Sequence, residues 1–139
     1  MKKSPSTEEI FSLTFELGRV MRQACAAGSI TPFSLAHIEA LRFVSERKNP
    51  TMRDLADYLR VTAPSASALV DELAGKGYFL RREDKTDRRL VRVSLSAEGK
   101  GFLAKVLRLR HKALHGLLVR LSLADRREFS RILSLLVKK

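Results

Sequence analysis

The sequence is short of cysteine, of acidic residues and of long apolar runs, and each shortage closes off a class of protein. Its one cysteine, Cys25, excludes an internal disulfide framework and a four-cysteine zinc site. No apolar run approaches the roughly 18 residues of a membrane-spanning helix. The opening stretch MKKSPSTEEI lacks the apolar segment of a secretory signal, so a reducing, cytoplasmic location is expected. Neither a glycine-rich phosphate loop nor a nucleophile–base spacing occurs, so the chain reads as a non-enzyme with no cofactor. No internal repeat and no low-complexity stretch is visible. Asp and Glu number only 15 against 27 Lys and Arg, a net charge of +12. That balance favours a polyanionic partner, nucleic acid first and an anionic membrane surface as its rival.

What is present is enough for a folded domain. With 139 residues, 45% of them hydrophobic, the chain can bury about two thirds of its unfolded surface without a metal or disulfide. The basic excess is uneven. Between Arg81 and Arg92 lie Arg81, Arg82, Lys85, Arg88, Arg89 and Arg92, with Glu83, Asp84 and Asp87 among them. Lys100 to Lys112 holds five basic residues and no acid, whereas Ala63 to Gly75 holds Asp71 and Glu72 and no base. A single charge run is most often a solvated face, so its meaning depends on the elements that carry it.

Periodicity and caps predict those elements. A first helix is expected from about Ser6 to Ala26, with Ile10, Leu13, Leu17, Val20, Met21 and Ala24 at helical spacing, broken by Gly28 and Ser29. A second is expected to open at Thr31-Pro32 and run to about Glu46. Thr51 and Asp54 form a capping-box pattern before a short helix to Leu59, with Leu55, Ala56 and Leu59 inward. Thr62 is the expected cap of a fourth helix, with Pro64 in its first turn and Ala66, Leu69, Val70 and Leu73 as its buried stripe, stopped by Gly75-Lys76-Gly77. Tyr78 to Arg82 and Leu90 to Leu95 read as a hairpin around a polar turn. Ser96 then caps a long helix to about Leu121. Ser122 and Asp125 open the last helix, to about Val137, with Phe129, Ile132, Leu133 and Leu136 inward.

Two short helices joined by Leu59-Arg60-Val61-Thr62 and followed by a basic hairpin make a winged helix-turn-helix. The second helix fits a major groove, where base edges differ, and an arginine-bearing hairpin tip suits phosphates or the adjacent minor groove. The fold class expected is therefore mainly α with a small β-hairpin wing, a winged helix-turn-helix with N- and C-terminal dimerisation helices. In boundaries, the 1–139 chain is one unit with a DNA-binding lobe over 31–95 and dimerisation helices over 6–27 and 96–138. The leucine stripe Leu103, Leu107, Leu114, Leu118 and Leu121, with the apolar faces of the first and last helices, exceeds what one such lobe covers, and a symmetric homodimer would bury it. A membrane binder needs a continuous basic amphipathic face and has no use for a wing with an internal Asp87, so double-stranded DNA is the expected partner and no membrane. The alternative function is a basic helical protein that binds nucleic acid without specificity, or an anionic membrane.

The stretch from Thr86 to Gly99 resembles the wing signature of the MarR family of winged helix-turn-helix transcriptional regulators, D-x-R-x-x-x-V-x-L-[ST]-x-x-G. Asp54 to Leu59, Ser67 to Leu73 and Lys76-Gly77-Tyr78 resemble that family's helix-turn-helix. The resemblance implies a homodimeric DNA-binding regulator whose binding a small ligand or oxidant controls; a repressor on a pseudo-palindromic operator, relieved by a small aromatic acid, is the expected form. By the same resemblance Arg88 is the wing-tip arginine of the minor groove, and Asp87 braces the wing by holding Arg89 or another wing arginine. Arg89 and Lys85 contact the DNA backbone, and Ser65 and Ser67 lie on the groove side of the recognition helix. Ala68 points most nearly outward there, together with Pro64, Asp71 and Gly75, and Lys76 is the helix's first long donor. With no Arg, Lys, Asn or Gln before Lys76, direct readout rests on hydroxyls and thymine-methyl contacts, and affinity on the wing.

An arginine-rimmed apolar pocket for an aromatic carboxylate is expected from Phe15, Arg19 and Arg22 of the first helix with His37, Leu41 and Arg42 of the second. Cys25 reads as a small buried hydrophobe rather than a redox switch. His111 and His115, one turn apart, have no third ligand nearby, so no metal site is expected.

Overall fold

The computed structural model describes residues 4–26 and 33–138. The elements among them are α1 (Thr7–Ala26), α2 (Leu35–Glu46), α3 (Met52–Leu59), α4 (Ala63–Gly75), β1 (Phe79–Glu83), β2 (Val91–Leu95), α5 (Ala97–Leu118) and α6 (Leu123–Val137). The chain divides into a lobe, Thr31–Leu107, and a terminal unit, Met1–Ile30 with Arg108–Lys139.

In the lobe, side chains close the helix ends that the backbone leaves open. Thr51 caps α3: its hydroxyl accepts from the Asp54 amide at 3.1 Å, and the Asp54 carboxylate accepts from the Thr51 amide at 2.9 Å. α3 ends with Arg60 in the left-handed region at φ 55°, while the Val61 amide donates to the Ala56 carbonyl at 3.1 Å. Thr62 then caps α4 by accepting from the Ser65 amide at 3.3 Å. α4 stops in the same way as α3, with Gly77 at φ 79° and the Tyr78 amide on the Leu73 carbonyl at 2.9 Å. The two αL caps thus set where the chain turns, and the turn between α3 and α4 is the one the sequence marks.

β1 and β2 pair antiparallel, from Phe79 opposite Leu95 to Glu83 opposite Val91. Val93 also receives a third neighbour, its amide donating to the Pro50 carbonyl at 2.9 Å. Leu41, Leu55, Val70, Leu73 and Val93 are fully buried, so α2, α3, α4 and the hairpin share one core. Ala66, Val70 and Leu73 are buried as the α4 stripe requires, and Leu69 is half-buried.

The base of the wing explains part of the signature. The Ser96 hydroxyl donates to the Gly77 carbonyl at 2.5 Å and accepts from the Gly99 amide at 2.9 Å. A Cβ on Gly99 would lie 2.2 Å from the Tyr78 carbonyl oxygen, so only glycine lets α5 start this close to the hairpin. Phe102 stacks on Tyr78 with centroids 4.4 Å apart, and Leu103 and Val106 are buried. The compact lobe therefore runs to Leu107 rather than 95, because the first turns of α5 complete its core.

Other boundaries differ from expectation. Thr31 and Pro32, expected to open the second helix, and the expected break at Gly28 and Ser29 lie outside the described residues; α2 begins at Leu35 with Ser34 as its N-cap. Both strands begin one residue later than the pattern suggests. α5 ends at Leu118, not Leu121, because the chain tightens there: the amides of Arg120 and Leu121 donate to the carbonyls of Leu117 and Leu118, three residues back. No described helix is long and apolar enough to cross a membrane.

In the terminal unit the amphipathic pattern is present but its apolar side is bare in the single chain. α6 has no buried residue. Leu133 and Leu136, expected inward, are exposed, the latter by 76%, and Phe11 of α1 by 68%. Phe129 is half-buried.

Candidate nucleic-acid interface

In the lobe α4 packs against β1, the first strand of the basic wing. Ser65 and Ala68 are exposed on α4, Ser67 is half-buried and Lys76 is the exposed C-cap. Two of the outward residues carry carboxylates, and each is held by another element. Glu72 accepts from His37 Nε2 of α2 at 2.8 Å. Asp71 accepts from Arg81 Nη1 of β1, and Arg81 Nη2 donates to the Ser67 hydroxyl at 3.2 Å. His37 Nδ1 accepts from the Ser34 amide at 3.2 Å, which places the neutral ring's proton on Nε2, toward Glu72.

At the wing, Asp84 is the organising residue. One carboxylate oxygen accepts from the Thr86 hydroxyl at 2.6 Å and the Asp87 amide at 3.0 Å; the other accepts from Arg92 Nε at 2.6 Å. Arg92 Nη1 also donates to the Asn49 carbonyl at 2.9 Å, which ties the tip to the stem and to the turn before α3. With its side chain only 12% exposed, Asp84 is the best-covered carboxylate among the described ion pairs. The Thr86 hydroxyl first, then the Arg92 guanidinium, hold it well below the usual carboxylate range. A depressed value stabilises the folded state fully above the unfolded carboxylate range and loses that contribution as pH falls through the lower folded value. Asp84→Asn is therefore expected to be less stable than wild type at neutral pH, with the gap narrowing below about pH 4. Chemical denaturation across pH 2–7 checks this, and a gap independent of pH would contradict it.

Asp87 holds Arg89. Its Oδ1 accepts from the Arg89 amide and Nε, both at 3.0 Å, and its Oδ2 from Nη2 at 3.1 Å. The Arg89 contact lowers the Asp87 pKa and Asp87 raises that of Arg89, so the pair stays ionised. The Arg89 side chain is nevertheless 89% exposed, an anchored guanidinium offered to solvent. Arg88 and Lys85 are exposed, and neither has a hydrogen bond or ion pair with another described side chain. The sequence pattern singled out the brace but missed Asp84 and Arg81. The Asp84-x-Thr86-Asp87 spacing is a turn signal that could have flagged the first. Arg81 carries no such local signal, because its partners lie 10 and 14 residues away.

The six residues set aside for an effector fall in different units. Phe15, Arg19 and Arg22 belong to the terminal unit, and His37, Leu41 and Arg42 to the lobe. Arg19 pairs with Glu16 and Arg42 with Glu46, each along its own helix, and Leu41 is fully buried in the lobe core. A cleft of about 510 Å³ in the lobe, lined by Val44, Arg47, Lys48, Lys100 and Leu103 among others, includes none of the six. Cys25 is half-buried, and no group of three or more metal-ligating side chains occurs among the described residues.

A helix-turn-helix whose second helix runs directly into a two-stranded basic hairpin defines a winged helix-turn-helix protein. Residues 31–90 match the model of the MarR family. Over 79 residues the chain is 33% identical to the transcriptional repressor MprA of Escherichia coli (strain K12), a stretch covering 57% of this chain and 45% of that protein. The match thus spans about half the length of that curated relative. Among solved structures, RV1404 from Mycobacterium tuberculosis superposes with a TM-score of 0.81 at 19% identity, covering 98% of this chain and 95% of that one. The apo form of wild-type MarR from E. coli gives 0.76 at 17% identity, covering 99% and 100%. Over residues 31–90 the chain is thus similar to the MarR family, and it has the fold of these winged helix-turn-helix structures.

Proposed function

We propose that this chain is a DNA-binding transcriptional regulator, acting as a homodimeric repressor on a pseudo-palindromic duplex site. The observation that carries the reading is the wing tip: the Arg89 guanidinium, held at Nε and Nη2 by Asp87 on a turn organised by Asp84, is open to solvent. An arginine fixed in this way loses little side-chain freedom on contact with the DNA backbone, and Arg88 beside it would enter a narrow minor groove, which concentrates the negative potential that attracts a guanidinium. The capped α4 beside it is of a size for the major groove. Two lobes in a dimer would present two such helices to successive major grooves, roughly 34–36 Å apart. The name of the relative MprA, a transcriptional repressor, supports the direction of control.

Selection of bound duplexes from a random pool tests the function. Enrichment of a palindrome with two half-sites is the expected result, and failure to enrich any sequence would replace the reading with nonspecific binding. The brace is tested separately. Asp87→Ala is expected to weaken duplex binding although it removes a negative charge beside DNA, because Arg89 loses its fixed geometry. Counterion electrostatics alone predicts tighter binding. A mobility shift showing tighter binding by Asp87→Ala would remove the brace from the account.

A further inference from the structure

α4 has a chemical gap for a helix of its kind. From Ala63 to Gly75 it carries no long hydrogen-bond donor, and its two charges, Asp71 and Glu72, are both negative. The fold places a donor over this gap from another element. β1 follows α4 after a three-residue turn, and Phe79 is buried against the lobe core. Along a strand, alternate residues share a face, so Arg81 lies on the same side as Phe79, one step further out. Its guanidinium lies across Ser67 and Asp71, which are one helical turn apart on α4. The pair is open rather than buried: the Arg81 and Asp71 side chains are 36% and 59% exposed.

Resting on the DNA-binding reading above, we propose that Arg81 is the major-groove reader of this protein, taking the O6 and N7 acceptors of a guanine, with Asp71 and Ser67 as its positioning residues. A guanidinium has five N–H donors in a rigid plane. Two are used on α4, and three remain for a ligand. Holding the plane against the helix fixes the direction of those donors, which a two-acceptor base edge requires and a phosphate does not. The Asp71 carboxylate also offsets part of the charge, which weakens nonspecific attraction to phosphate while leaving the fork intact. Arg88, Arg89 and Lys85 lack any such carboxylate on α4, and serve the backbone and minor groove instead. The sequence pattern assigns base reading to α4's own side chains; the strand that leaves α4 supplies the missing one.

The test repeats the random-duplex selection with full-length Arg81→Ala, Arg81→Lys and the double variant Arg81→Ala/Asp71→Asn, with thermal melting to confirm that each folds. Wild type is expected to enrich one G·C pair per half-site at a position that Arg81→Ala no longer discriminates. The expected fall in preference there is roughly five- to hundredfold, the range of one bidentate base contact, with the salt slope of binding unchanged. Arg81→Lys keeps the charge but not the fork, and is expected to lose the same preference. The double variant separates reading from charge neutralisation. If Arg81 only masks Asp71, removing both restores wild-type discrimination, and the proposal falls. A uniform loss of affinity with a reduced salt slope makes Arg81 a phosphate contact and also overturns it. An Arg81→Ala profile identical to wild type does the same while leaving the regulator reading intact. If wild type enriches no sequence, the regulator reading fails, and this proposal with it.

Discussion

Removing both wing-tip guanidiniums, as Arg88→Ala/Arg89→Ala, is expected to reduce specific duplex affinity by roughly 1–3 kcal/mol per half-site, at least tenfold in the dissociation constant. The two arginines differ in how they are held. Arg89 is fixed by three hydrogen bonds to Asp87, whereas Arg88 is free to reach along the groove. Both lie at the tip of a hairpin whose turn Asp84 organises, so removing them leaves the stem ladder from Phe79–Leu95 to Glu83–Val91 unaltered. The slope of log affinity against log salt should fall by about one for each phosphate that is no longer neutralised. The single variants divide the effect, and pairing Arg89→Ala with Asp87→Ala in a double-mutant cycle should show strong coupling, because the Asp87 brace acts through Arg89. Fluorescence anisotropy at several salt concentrations is a sufficient measurement. Unchanged affinity and slope in the double variant would exclude the wing from the interface.

The second large effect concerns the terminal unit. α6 carries Leu133, Leu135 and Leu136 with no buried residue, and Phe11, Leu13 and Phe15 of α1 are exposed by 61% or more. Each such side chain gains roughly 1.5–3 kcal/mol when fully covered. A symmetric partner would cover the same residues on both chains at once. Leu136→Glu would then place two carboxylates in the proposed interface. At about 2 kcal/mol for each unpaired polar group, the dimer dissociation constant should rise roughly a thousandfold. Light scattering at micromolar concentration is expected to give twice the 15.7 kDa chain mass for wild type and the chain mass for the variant. Wild type at 15.7 kDa would end the dimer proposal.

Local chemistry made much of the lobe legible. Thr51 with Asp54, and Thr62 ahead of Pro64, act as caps where their side chains can reach an open amide, as Ser122 with Asp125 does in the terminal unit. The α4 stripe of Ala66, Val70 and Leu73 is buried because its period matches the helix. Asp87 and Arg89 are two residues apart, so their pairing is also local.

The α3–α4 turn, the hairpin and the basic wing were thus set by the sequence itself, through interactions that span only a few residues. Tertiary structure alone decided three other matters. The first turns of α5 joined the lobe, where Phe102 meets Phe33 and Tyr78, both distant in sequence, and Leu103 and Val106 are buried. His37, set aside for an effector, was drawn to Glu72, 35 residues away. Arg81, one basic residue among several in its run, was laid across Ser67 and Asp71 of α4. Periodicity and capping report which face a residue occupies on its own element. Which side chain of another element meets that face depends on how the elements pack, and no short-range pattern encodes it.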